Sequence, residues 1–187
     1  MRKSLLAAIL AFAILPASVF ARSVTLPNTL YEKGKPFPKS ITLETAKVNG
    51  FYEYKNARFH FHGLIPASFG NVKLPMNGDG ILLSDEDGAE LSLSGAYHSM
   101  KWELADYIGK DIENAAPDQS AHMTWQDDRY TLSWTKAGRG YYIRRILREG
   151  RTASLYLVFP EIKRDVYEKL IPVMEKDFGI EEETGKK

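Results

Sequence analysis

The chain has 187 residues, of which 44% are hydrophobic and 26% charged, a composition typical of one globular domain with a hydrophobic core. Its 25 Lys and Arg residues nearly balance its 24 Asp and Glu residues, so the charge provides no electrostatic drive towards nucleic acid or anionic membranes. Cysteine is absent, which excludes disulfide bonds, covalently attached haem and a thiol nucleophile.

The first 21 residues carry the three-part pattern of a secretory signal peptide. Arg2 and Lys3 precede an uncharged apolar run over residues 5–15, and Ala21 supplies the small residue that a signal peptidase recognises. The run is too short to cross a bilayer, and no Cys follows it to take a lipid anchor. We therefore expect a soluble periplasmic or secreted protein with no membrane span, cleaved near Ala21, whose remaining 23 basic and 24 acidic residues give a charge of −1.

The remaining chain divides into a leader, one domain and a tail. Residues 22–39 contain three prolines and no sustained periodicity, which predicts an extended leader over the domain or a flexible arm. A single domain is predicted over residues 40–180, and a charged tail over residues 181–187. In the domain, alternating apolar and polar residues predict about seven antiparallel strands in two meanders, with helices over residues 100–114 and from Pro160 onwards. Because both helices must bury an apolar stripe on the sheet, the fold class is α+β, a sheet covered by two helices.

Two local signals refine this layout. Asn49 and Gly50 lie between two β-prone runs, and Asn-Gly is a strong hairpin signal because both central turn residues favour positive φ. Pro172 falls inside the last predicted helix, where the missing N–H and the ring predict a kink or two abutting helical pieces.

Several motifs along the domain resemble those of a family of uncharacterised exported bacterial proteins. In chain order they are Tyr54-x-Asn56-Ala57-Arg58-Phe59, Pro66, Asn77-Gly78-Asp79-Gly80, Ser84-x-x-Asp87-Gly88-Ala89, Gly95, Tyr141-Tyr142 with Arg144, Leu155, Phe159-Pro160 and Phe178. By the same likeness the layout is similar to PsbP-like folds, which implies an antiparallel sheet covered by helices. The motifs are turns and core positions, so the resemblance implies an architecture and no activity.

His60 and His62 form the candidate metal site. Residues 58–62 are predicted to form a strand, on which residues two apart point the same way, so both imidazoles would face one zinc or copper ion. Two ligands rarely hold a metal alone, so a further ligand from His98, His122 or a nearby Glu is required. The alternative is a wet strand face that happens to carry two histidines.

An arginine-rich segment over residues 139–151 is the candidate ligand site. Alternation on its predicted strand places Tyr142, Arg144 and Arg148 on one face, where they could hold a small anionic ligand or an acidic partner surface. Arg145 belongs to the opposite face and is expected to be partly buried and paired, or at a sheet margin. The alternative is a solvated strand that protects a sheet edge with charge.

These observations favour a non-catalytic binding or accessory domain of the cell envelope, whose partner is an unknown protein or a small anionic ligand and which needs no cofactor. No assembled acid–base pair, cofactor loop or complete metal set is recognisable in the sequence. One alternative is a hydrolase whose residues meet only in the fold, with His98 or His122 beside a carboxylate. The other is a metal-handling protein through His60 and His62.

Overall fold

Two antiparallel sheets pack face to face in the computed structural model, which describes residues 23–98, 102–117 and 121–182. The strands in this part of the chain are β1 Ser23–Pro27, β2 Ser40–Thr45, β3 Phe51–Asn56, β4 Phe61–Pro66, β5 Asn71–Lys73, β6 Gly80–Ser84, β7 Glu90–Tyr97, β8 His122–Gln126, β9 Arg129–Lys136, β10 Arg139–Arg148, β11 Arg151–Pro160 and β12 Gly179–Ile180. The helices are α1 Leu104–Ala115, α2 Arg164–Tyr167 and α3 Ile171–Asp177, with a 3-10 turn at Glu161–Lys163 before α2.

The five-stranded sheet has the order β1-β2-β3-β4-β12, and the seven-stranded sheet has the order β5-β6-β7-β11-β10-β9-β8. All pairs between named strands are antiparallel, which confirms the predicted α+β class with an antiparallel sheet. The predicted number of about seven strands is too low, because short edge strands such as β5 and β12 have too few residues to show a period. The described residues form three helices where two were expected.

The main core lies between the two sheets. On the central strands β7 and β11, every second residue is apolar and faces the five-stranded sheet, as expected for period-two alternation. Leu91, Leu93, Leu155 and Leu157 are all fully buried in this layer. Gly95 continues the same face, where a Cβ atom would come within 2.7 Å of Phe59, so glycine allows the sheets to approach closely.

Helix α1 covers the opposite face of the seven-stranded sheet, called the outer face below. Its first turn is closed by the Glu103 backbone N–H, which donates to the Asp106 carboxylate at 2.8 Å. Tyr107 and Ile108 pack against a second, smaller cluster that includes Tyr130 of β9. The helix therefore buries one stripe on β9 and β10 and leaves β7 and β11 uncovered by it.

The chain after β11 forms two helical pieces, as Pro172 predicts. Helix α2 ends at Tyr167, and α3 begins at Ile171 with the proline in its first turn, where a missing N–H costs nothing. Met174 of α3 is fully buried in the main core. Helix α3 thus contacts β4 of the five-stranded sheet and β10 of the seven-stranded sheet.

The structure defines one predicted segment more closely and differs from another. Within the predicted leader over residues 22–39, Ser23–Pro27 form β1, which pairs with β2 over its full length. The predicted strand over residues 58–62 is wrong, because the chain turns there and β4 begins only at Phe61. The Asn56 side chain causes this turn, since its Oδ1 accepts the N–H groups of the two residues Arg58 and Phe59 at 3.1 and 2.9 Å.

The Asn49-Gly50 hairpin between β2 and β3 is confirmed, although only Gly50 adopts a positive φ. The proposed signal peptide over residues 1–21 lies outside the described residues, as does most of the charged tail from residue 183. None of the helices in the described ranges has the length and apolar character that crossing a bilayer requires.

Candidate functional site

An open cleft of about 500 Å³ lies between α1 and the outer face of the seven-stranded sheet. Strands β7, β9, β10 and β11 form its floor and one wall, and the last two turns of α1 form the other. The cleft exists because α1 covers only part of this face and the uncovered strands carry small side chains there. Its polar lining therefore comes from positions that alternate with the core residues of the same strands.

A buried ion pair fixes α1 to the sheet at one end of the cleft. Arg145 of β10 donates from Nη2 to both carboxylate oxygens of Asp111, at 3.1 and 3.0 Å. Tyr130 of β9 donates its hydroxyl to the same carboxylate, and it accepts a hydrogen bond from Arg145 Nε at 3.0 Å. Burial raises the pKa of Tyr130 well above its ordinary value, although the nearby guanidinium opposes this shift. The charges of Asp111 and Arg145 therefore neutralise each other, and the Tyr130 hydroxyl is hydrogen-bonded to both side chains.

Three aromatic rings form the wall on the sheet side. Trp134 of β9 and Tyr141 of β10 are stacked with centroids 4.9 Å apart and planes at 6°. Tyr156 of β11 lies 6.4 Å from each of them. Both tyrosines are half-buried, and burial raises the pKa of Tyr156 to about 12, with the nearby Tyr141, Asp111 and Glu90 adding to the shift.

The floor of the cleft is small and polar. Ser92 and Ser94 of β7 and Ser154 of β11 stand side by side on the outer face, and Ser94 is the direct cross-strand partner of Ser154. At the other end, Lys136 donates from Nζ to the Ala115 carbonyl at the end of α1, at 3.1 Å. The groups that remain available to a ligand are therefore chiefly hydroxyls.

The candidate ligand residues Tyr142, Arg144 and Arg148 share one face, but it is the inner face and not the cleft. Tyr142 donates its hydroxyl to Glu175 of α3 at 2.5 Å, and Arg144 Nη1 donates to the same carboxylate oxygen at 3.1 Å. Arg148 binds Asp128 at 2.8 Å. Carboxylates of the same chain thus bind each of the three side chains that were expected to hold an anion.

The pairing of His60 and His62 on one strand face is wrong. His60 lies in the turn before β4 with φ of 53°, whereas His62 lies within β4, so the strand geometry that would aim both rings at one metal is absent. His62 Nδ1 lies 4.0 Å from Glu181. Within the described parts of the chain, no group of three or more His, Asp or Glu side chains is arranged to hold a metal ion.

The histidines of the hydrolase alternative lie in different places. His98 Nδ1 and the Tyr107 hydroxyl are 2.9 Å apart and share a hydrogen bond. His122 lines another cavity of about 460 Å³, which shares Trp134 and Tyr141 with the cleft, together with Glu161 and Glu168. Both carboxylates are held by Arg164, which binds Glu161 through two hydrogen bonds and Glu168 through a third, so neither is free to orient the histidine.

The two packed sheets with helices on the outer face and at the sheet margin define a PsbP-like fold, which confirms the expected architecture. The solution structure of cyanobacterial PsbP (CyanoP) from Synechocystis sp. PCC 6803 is similar over 73% of this chain and 95% of that chain, with a TM-score of 0.53 and 13% identity. The Saccharomyces cerevisiae Ran-binding protein Mog1p is similar over 70% of this chain and 95% of its own, with a TM-score of 0.48 and 9% identity.

At 13% identity the likeness to CyanoP shows the fold alone, and the weaker likeness to Mog1p carries no argument. No protein-family model matches the chain, and no curated protein matches it in sequence. The resemblance to a family of exported bacterial proteins stays a prediction. The function has to be argued from the cleft itself.

Proposed function

We propose that this chain is an exported, non-catalytic binding domain whose ligand enters the cleft between α1 and the seven-stranded sheet. The observation that carries the proposal is the cleft itself, which has a volume of about 500 Å³ and combines stacked aromatic rings with convergent polar groups. A concave site of this size with a few placed polar groups is the usual form of a small-ligand site.

The charged groups in the cleft support binding over catalysis. A general acid or base must be free to exchange a proton with its substrate. Asp111 instead uses both carboxylate oxygens to accept hydrogen bonds from Arg145, and one of them also accepts the Tyr130 hydroxyl. These residues hold the cleft walls in position, and Asp111, the carboxylate of the described lining, is fully engaged by them.

The cleft also replaces the arginine-rich inner face as the proposed site. An anion approaching Arg144 would have to displace Glu175, which belongs to α3 and is fixed by Tyr142 as well. A ligand in the outer cleft displaces only water from the serine and tyrosine hydroxyls. Binding in the outer cleft therefore requires no rearrangement of the chain.

The cleft is tested by filling it. Ser154→Trp places an indole on the floor, and Thr42→Trp places the same side chain on an exposed position of β2, away from the cleft. Each protein is recovered from a bacterial periplasm, and the small molecules it retains are released by denaturation and identified by mass spectrometry. We expect one compound with the natural protein and with Thr42→Trp, and its loss with Ser154→Trp. The same compounds in all three samples, with Ser154→Trp folded by circular dichroism, would contradict the proposal.

Export is tested separately. The full chain with a C-terminal tag is expressed in a bacterium with two membranes, and its fractions are compared by mass. The signal-peptide pattern predicts a periplasmic product that lacks residues 1–21. A product with an intact N-terminus that remains in the cytoplasm contradicts export and leaves the cleft proposal standing.

A further inference from the structure

The cleft continues into a second cavity on the outer face. This second cavity has a volume of about 250 Å³ and lies over β5, β6 and β7. Ser92 and Ser94 line both cavities, so the two form one groove with a continuous floor. From β5 to β9 the groove crosses six neighbouring strands, a length of about 24 Å at the usual strand separation. A compact small molecule would fill only part of it.

The groove offers neutral hydrogen-bonding groups more than charges. Asp111 and Arg145 neutralise each other, and Lys136 binds a backbone carbonyl. In contrast, no hydrogen bond within the described chain engages the hydroxyls of Tyr141 and Tyr156, which face the cleft. Hydroxyl groups both donate and accept, so they suit a ligand that carries many hydroxyls of its own.

The second cavity adds an apolar surface. Leu30, Pro75 and Leu82 form most of its wall, while Lys73 and Asp79 lie at its margin. A sugar ring presents hydroxyls at its edge and C–H groups on its faces, and those faces pack on apolar and aromatic side chains. Alternating hydroxyl-rich and apolar segments along one groove therefore match a chain of sugar rings.

An extended peptide fits the groove less well. Peptides that bind to sheets gain most of their affinity from main-chain hydrogen bonds to an exposed strand edge. Strand β7 under the groove is paired with β6 on one side and with β11 on the other, so its backbone groups are already used. A peptide could be recognised here only through its side chains.

We infer that the groove binds a neutral oligosaccharide that spans both cavities, an inference that rests on the proposed binding function of the cleft. The rings at one end lie against Tyr141 and Tyr156, and those at the other end lie against Leu82. Ser92 and Ser94 contact the junction between them.

The test is a length series measured by isothermal titration calorimetry. The probes are the two-, four- and six-unit oligomers of β-1,4-linked glucose and of β-1,4-linked N-acetylglucosamine, and a blocked octapeptide of alternating Ala and Ser. We expect one glycan series to bind, with an affinity that rises about tenfold from the two-unit to the six-unit oligomer, as one or two additional hydrogen bonds provide.

Three variants locate the binding. Tyr156→Phe removes one hydroxyl and is expected to weaken six-unit binding about fivefold. Leu82→Trp fills the second cavity and is expected to reduce the six-unit affinity to that of the two-unit oligomer. Thr42→Trp on the other sheet is the matched control and is expected to leave every affinity unchanged. Circular dichroism and thermal unfolding confirm that each variant is folded.

Absence of binding by both glycan series overturns the inference, and so does an affinity that does not depend on length or binding by the octapeptide alone. If the retained compound is nevertheless lost from Ser154→Trp, the proposed cleft function stands and only the glycan assignment fails. If that compound is retained, the cleft function itself fails.

Discussion

Two clusters of the same composition occupy opposite faces of β10, and they differ in what surrounds them. Arg144 with Tyr142 binds Glu175 on the inner face, and Arg145 with Tyr130 binds Asp111 on the outer face. Each joins a helix to the sheet through an arginine, a tyrosine and a carboxylate. The inner cluster lies beside the main core between the two sheets, whereas the outer cluster borders an open cleft.

The difference comes from the neighbouring strands. Beyond the inner cluster, β7 and β11 present leucines that pack against the five-stranded sheet. Beyond the outer cluster the same strands present Ser92, Ser94 and Ser154, which α1 does not cover. A polar cluster alone therefore does not define a site, because the small side chains beside it decide whether a ligand can enter.

The largest effect is expected from comparing the two faces of β11. Leu155→Ala removes a fully buried inner side chain and is expected to lower the free energy of unfolding by about 2–5 kcal/mol. Ser154→Ala, one residue away on the cleft floor, is expected to change it by less than about 0.5 kcal/mol. Urea unfolding followed by circular dichroism measures both. Equal losses would mean that the cleft floor is packed as tightly as the core.

The two clusters themselves are compared by removing one charge from each. Asp111→Asn leaves Arg145 without its counter-ion, and we expect a loss of about 3 kcal/mol because both side chains are largely buried. Glu175→Gln is expected to cost about 1 kcal/mol, since the Glu175 side chain is 31% exposed and water can replace part of the interaction. If Glu175→Gln lowers the free energy of unfolding by more than Asp111→Asn does, the inner ion pair contributes more to stability than the outer one, contrary to this expectation. Urea unfolding measures both changes.

Alkaline pH tests the buried tyrosines on both faces. Burial raises the pKa of Tyr142 and of Tyr156 in the folded protein, the latter to about 12, whereas both titrate near 10 when the chain is unfolded. Their contribution to stability is therefore complete below about pH 10 and is lost as the pH rises towards 12. We expect the unfolding free energy to fall over this range, and to fall less steeply in Tyr142→Phe and Tyr156→Phe. If the unfolding free energy of both variants falls with pH as steeply as that of the natural protein, these two tyrosines do not cause the alkaline loss of stability.

Acid pH gives the smallest effect. Hydrogen bonds from Arg129 and Arg148 lower the pKa of Asp128 in the folded protein, against an opposing contribution from burial. A lowered pKa stabilises the fold above the ordinary Asp value near 4, and this contribution is lost as the pH falls below it. The free energy of unfolding of Asp128→Asn at pH 7 is therefore expected to be about 0.5–1 kcal/mol lower than that of the natural protein. On acidification it is expected to fall by less than that of the natural protein. An unchanged acid profile in urea unfolding would show that these ion pairs contribute nothing.

Sequence alternation predicts which residues share a face, but not what covers that face. Tyr130, Leu132 and Trp134 alternate in the sequence and are buried together, as expected. Period two cannot show that α1, and not the second sheet, is what covers them. Arg145 was expected to be partly buried and paired, or at a sheet margin. The first expectation is met, because Arg145 is half-buried and forms an ion pair with Asp111 of α1.

The cleft could not be predicted because it depends on strand order. Ser94 and Ser154 become neighbours only because β7 pairs with β11 across α1 and three intervening strands. No local pattern specifies that pairing, although the serines of β7 alternate with its buried leucines and so lie on its second face. The error at His60 and His62 has a local cause, since a turn fixed by the Asn56 side chain lies within an aromatic run that resembles a strand.

Occupation of the outer cleft by a ligand can be measured at the tryptophan side chains. Trp134 lines the cleft, and its indole N–H is buried without a hydrogen-bond partner in the described chain, whereas Trp125 is 66% exposed on β8 and does not line the cleft. In a nitrogen–proton correlation spectrum, assigned with Trp→Phe variants, the six-unit oligosaccharide that binds is expected to shift the Trp134 signal and leave the Trp125 signal in place. A shifted Trp125 signal beside an unchanged Trp134 signal would contradict the account.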